Sequence, residues 1–119
     1  MTVDEFYQAV IRQQARFFPN SRMNILKRLT DYIQLRITLT EELSIAVRYN
    51  AENGRQDFAL IYQGRRIFGY DNLKRWHYHP FENPEKHIPC PKPSVGRVFR
   101  EISELVQSKH LNKSARRTR

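Results

Sequence analysis

Apolar side chains recur at three- and four-residue spacing near the start of the chain. Val3, Phe6, Tyr7, Val10, Ile11, Phe17 and Phe18, with Gln14 among them, fall on one face and predict an amphipathic helix over residues 2–18. Thr2 and Glu5 have the spacing of a capping box, in which hydroxyl and carboxylate each take a backbone N–H of the first turn. Pro19-Asn20-Ser21 ends the helix. The period then changes to two. Ile33, Leu35, Ile37 and Leu39 alternate with Tyr32, Gln34, Arg36 and Thr38, predicting a half-buried strand over 32–40. Residues 25–30 either extend that strand or form a short helical turn. Leu43–Tyr49 alternates in the same way, Asn53-Gly54 is a turn signal, and strands follow at Asp57–Gln63 and Arg65–Tyr70.

The alternation stops after Tyr70. Residues 71–93 hold prolines, three of the chain's histidines and its tryptophan, and predict a long functional loop. Ser94 caps a second helix with an apolar stripe of Val95, Val98, Phe99, Ile102, Leu105 and Val106. The expected architecture is α+β: a four-stranded antiparallel sheet covered on one face by an N-terminal and a C-terminal helix. Arg36 and Arg48, with Tyr32 or Tyr62, would occupy the other face. One domain spans 1–108, and 109–119, rich in Lys and Arg, is a flexible basic tail.

Charge narrows the function. The 119 residues carry 21 Lys+Arg against 12 Asp+Glu, a formal charge of +9, which favours phosphate backbones, anionic membranes or acidic proteins as partners. No apolar run is long enough to span a bilayer, and the N-terminus lacks the pattern of a signal peptide. The lone cysteine, Cys90, lies between two prolines and suits a reducing cytoplasm, the expected location. Phosphate-loop, dinucleotide-binding, zinc-protease and Cys-x-x-Cys motifs are absent.

The densest chemistry is Trp76-His77-Tyr78-His79, with His87 eight residues on. In an extended segment His77 and His79 point to the same side, about 7 Å apart. Imidazoles serve as both acid and base near neutral pH, as a metal-free endoribonuclease requires. Arg65, Arg66, Lys74 and Arg75 would supply cations to the phosphate, and Trp76 and Tyr78 would stack on bases. Asp71 and Tyr70 would position the loop, Asp71 also through an Asx-turn. A metal held by the three histidines with Asp71 or Glu85 is the alternative; the expectation is chemistry without metal or cofactor.

The segment Arg66–Asn72, ending Gly69-Tyr70-Asp71-Asn72, then His77-Tyr78-His79-Pro80, Lys86-His87 and Pro91-Lys92-Pro93-Ser94 leading into a last helix, resembles the TumE family of toxins from toxin–antitoxin systems. The likeness covers roughly residues 30–105 and includes the strand ending Val47-Arg48-Tyr49. The resemblance implies a growth-arresting toxin that cuts RNA, encoded beside an antitoxin that is usually a helix-turn-helix protein. Two other readings stand beside the enzyme. One is a basic RNA- or DNA-binding module acting by occupancy. The other is an assembly role, including a homo-oligomer, through the first helix or a strand edge.

Overall fold

A computed structural model describes residues 1–112 of the chain. Helix α1 (Val3–Phe17) leads into strands β1 (Arg22–Leu29), β2 (Tyr32–Thr38), β3 (Leu43–Asn50), β4 (Arg55–Tyr62), β5 (Arg65–Asp71), β6 (His77–His79) and β7 (Ile88–Pro89), followed by helix α2 (Val95–Ser108). All strands join one antiparallel sheet in sequence order.

The α+β class with two helices and an antiparallel sheet is as the sequence pattern predicts, but the sheet has seven strands, not four. The additions have distinct physical origins. β1 is an edge strand with nearly every residue exposed, so no buried face imposes alternation on it; a bulge between Ile25 and Lys27 breaks its register further. β6 and β7 are short segments of the expected loop that add to β5 as a hairpin and a further rung.

Alternation in β2–β5 sorts the sheet into two faces. Ile33, Leu35, Ile37, Leu43, Ile45, Val47, Phe58, Leu60 and Tyr70 are buried with Phe6 and Val10 of α1 and Val98, Phe99 and Ile102 of α2. Burying each such side chain contributes about 1.5–3 kcal/mol before entropy is counted. The caps form as predicted: Thr2 and Glu5 make the reciprocal box, and the Ser94 hydroxyl accepts from the Arg97 N–H at 3.0 Å. After α2, Leu111 still packs on the core. The remainder of the expected tail, residues 113–119, lies outside the described residues.

Gly69 fixes how β4 and β5 approach. A Cβ at this position would lie 2.6 Å from the Phe58 carbonyl oxygen, a backbone atom that cannot swing aside. Across the next ladder Gly69 pairs with His79, so the glycine also sets the level at which that histidine crosses the sheet. Gly69→Ala is expected to cost about 2–3 kcal/mol through backbone displacement. At Gly54, where φ is +76° and nothing lies within 4 Å, Ala should cost only about 1 kcal/mol. Urea unfolding of both variants tests the contrast.

Candidate functional site

The register of the β5–β6 hairpin builds the site. Asp71 pairs with His77 and Gly69 with His79, so the three polar side chains emerge on the helix-free face. Asp71 and His79 are buried, and His77 is only 8% exposed. His77 Nε2 lies 3.2 Å from Asp71 Oδ1, and His79 Nε2 lies 2.9 Å from Asp71 Oδ2. The Leu73 N–H donates to Asp71 Oδ1 at 3.0 Å, so the Asx-turn and the histidine contacts share one carboxylate. Each ring has a second partner: His77 Nδ1 meets the Arg75 carbonyl at 3.0 Å, and His79 Nδ1 meets the Pro84 carbonyl at 3.1 Å.

His87 completes the cluster from the next rung. Its ring stacks on His77 with centroids 4.7 Å apart at 10°, and meets His79 edge-on at 4.6 Å. Unlike the other two it is exposed. It opens on a cleft of about 430 Å³ lined by Arg65, Arg66, Pro84, Glu85 and His87. The cluster is thus graded from a buried carboxylate, through two buried imidazoles, to a solvent-facing imidazole beside two guanidinium groups.

Burial pushes the Asp71 carboxyl up, but the His79 hydrogen bond, the Leu73 N–H and the nearby imidazoles outweigh it and hold the group below its ordinary range. Cys90 is partly buried, and that burial pushes its thiol up, away from the thiolate a nucleophile needs.

No protein-family profile, curated protein or solved structure matches the chain.

The structure gathers Asp71, His77, His79 and His87, and adds Arg65 and Arg66 at the cleft. It does not bring Tyr70, Trp76 or Tyr78 to them. Tyr70 pairs with Tyr78 across the hairpin, one position out of phase with the histidines. Their rings lie 5.7 Å apart, and Tyr78 and Trp76 pack on the core. Lys74 and Arg75 follow the far end of β5, roughly 20 Å along the strand from Arg65; Arg75 reaches the site through its carbonyl.

Tyr70 has a partner of its own, Glu101 on α2, to which its hydroxyl donates at 2.6 Å. Burial and that carboxylate hold the phenol well above its ordinary range. A raised folded value means that the stabilisation is complete below the unfolded phenol's pKa of about 10 and is lost as pH rises through the folded one. Tyr70→Phe should cost about 1–2 kcal/mol near neutrality and should remove the alkaline decline, measured by urea unfolding across pH 8–12.

The helix-free face also carries cationic residues that no sequence motif marks. A groove of about 210 Å³ lies between Leu26, Gln34, Arg36, Arg48, Asp57 and Arg66. Arg48 and Arg55 each pair with Asp57 at 3.0 Å. The Arg36 Nε is buried without a hydrogen-bond partner among the described residues. Arg66 lines both the groove and the histidine cleft, so the two adjoin on an arginine-rich face. Strict alternation in β2 and β3 was the signal that put Arg36 and Arg48 on this face.

Proposed function

We propose that the chain is an RNA-cleaving toxin whose helix-free face holds the phosphate backbone and whose histidine cluster breaks it. The observation that carries this reading is the solvent-facing His87, stacked on the Asp71-held pair and set beside Arg65 and Arg66 in one cleft. Arg65 and Arg66 bind the scissile phosphate and offset the charge that builds on it. His87 is the imidazole placed to exchange a proton with the attacking 2′-oxygen or the leaving 5′-oxygen. Arg36 and Arg66 extend the contact along the groove. The likeness of Gly69–Asn72 and of the histidine segment to TumE toxins supports growth arrest and a helix-turn-helix antitoxin as partner.

One observation favours a second reading, a module that binds RNA by occupancy: the Nδ1 atoms of His77 and His79 meet backbone carbonyls, both Nε2 atoms face Asp71, and neither ring lines the cleft. The two readings share the cationic surface and differ at His87. Arg65→Ala with Arg66→Ala is expected to reduce the salt dependence of single-stranded RNA binding by about 1.4 in the slope of log K against log salt, at about 0.7 per lost phosphate contact. Filter binding across a salt series measures it; an unchanged slope would place the RNA elsewhere. Expression of the chain in a bacterial host, followed for growth and RNA integrity, tests the toxin reading itself.

A further inference from the structure

The heavy atoms around His77 and His79 pose a protonation problem. A carbonyl oxygen only accepts, so Nδ1 of each ring must donate: His77 to Arg75 and His79 to Pro84. A neutral imidazole then carries only a lone pair on Nε2. Yet both Nε2 atoms face Asp71 oxygens, at 3.2 and 2.9 Å, and an ionised carboxylate also only accepts. Each Nε2 can meet its carboxylate oxygen only with a proton or a metal ion shared between them.

The ring centroids are 5.0 Å apart and both side chains are buried. A single divalent cation set among them meets both Nε2 lone pairs and the carboxylate at once. We propose that Asp71, His77 and His79 form a binding site for a divalent first-row transition-metal ion, with both Nε2 atoms and one carboxylate oxygen as ligands.

The donor atoms lie within 4.8 Å of one another, and the Nε2–carboxylate distances of 3.2 and 2.9 Å are already close to the roughly 3.0–3.4 Å that separates donors sharing one tetrahedral ion. Two imidazoles and a carboxylate suit zinc, iron or manganese and leave further positions open. The Nδ1–H to carbonyl bonds match the outer contacts that ordinarily orient metal-bound histidines. Asp71 is further oriented by the Leu73 N–H. His87, stacked on His77 at the solvent side, closes the cluster toward the cleft. The site deepens the proposed function and rests on it only for the use of the ion, which would act as a Lewis acid on a phosphate oxygen arriving from that cleft. The sequence pattern alone had favoured metal-free chemistry.

The test adds zinc chloride alone to the full chain after chelator treatment, without RNA. Calorimetry should show one site per chain, and histidine-ring ¹⁵N spectra of the unaltered protein should show Nε2 of His77 and His79 moving on zinc addition while His110 stays put. His77→Ala and His79→Ala should each weaken binding at least about 100-fold, beyond the 10–100-fold range typical of losing an outer partner; His110→Ala should not. Ring signals of His77 and His79 that stay fixed at saturating zinc would overturn the proposal, without any variant having to fold. So would undiminished binding in the His77→Ala, His79→Ala double variant. Zinc binding without RNA cleavage would leave the metal site standing and remove the ribonuclease reading; RNA cleavage by a chain that takes no zinc would do the reverse.

Discussion

Asp71→Ala should lower folding stability by about 3–5 kcal/mol in the presence of a chelator, the usual cost of removing one partner of a buried charged group. The carboxylate accepts from the Leu73 N–H and meets the Nε2 atoms of two buried histidines. Truncation leaves both Nε2 atoms and the Leu73 N–H facing an unfilled space and frees the turn that starts the β5–β6 connection. Asp71→Asn keeps the volume and can still accept from Leu73, so its cost should be smaller, about 1–3 kcal/mol. Asp57→Asn provides the contrast. Asp57 is paired to Arg48 and Arg55 on a more accessible part of the same face, and loss of such a pair costs about 1 kcal/mol or less. Urea unfolding of the three variants at pH 7 decides between them; an Asp71→Ala chain as stable as Asp57→Asn would mean that the carboxylate does not hold the cluster together.

Much of this arrangement was legible in the sequence, and the exceptions have physical causes. Helix α1, helix α2 and strands β2–β5 each bury one face, and burial imposes the period that betrays them. β1 buries almost nothing and shows no period, which is why residues 25–30 left strand and helical turn both open. β6 is too short for a pattern, and its buried residues are histidines rather than aliphatics. The common side of His77 and His79 follows from extended geometry alone. Asp71 as their shared partner does not, because it depends on the antiparallel register of β5 against β6. His87 joins them only because Ile88 and Pro89 pair with the histidine strand. The same alternation carries Trp76 and Tyr78 to the core side, away from the base-stacking role their chemistry suggested. Glu85, weighed beside Asp71 as a ligand, instead lines the cleft with His87.

The second large effect falls on activity. His87 is exposed and donates no hydrogen bond that the fold depends on among the described residues, so His87→Ala should leave stability within about 1 kcal/mol of the parent chain. If its imidazole transfers a proton in phosphodiester cleavage, its loss should slow the reaction by about 10²–10⁴-fold. RNA affinity, which resides in Arg65, Arg66 and the groove, should change little. A loss of rate with retained binding separates chemistry from occupancy, because a module that acts by binding alone has no use for this side chain.

The most direct measurement is therefore the single-turnover rate of RNA cleavage by purified wild-type and His87→Ala chains at saturating protein, with RNA affinity measured on the same samples. The predicted result is cleavage by the wild-type chain and a fall of about 10²–10⁴-fold in the variant at nearly unchanged affinity. Equal rates in the two chains, or binding by both with cleavage by neither, would contradict the assignment of catalysis to the histidine cluster.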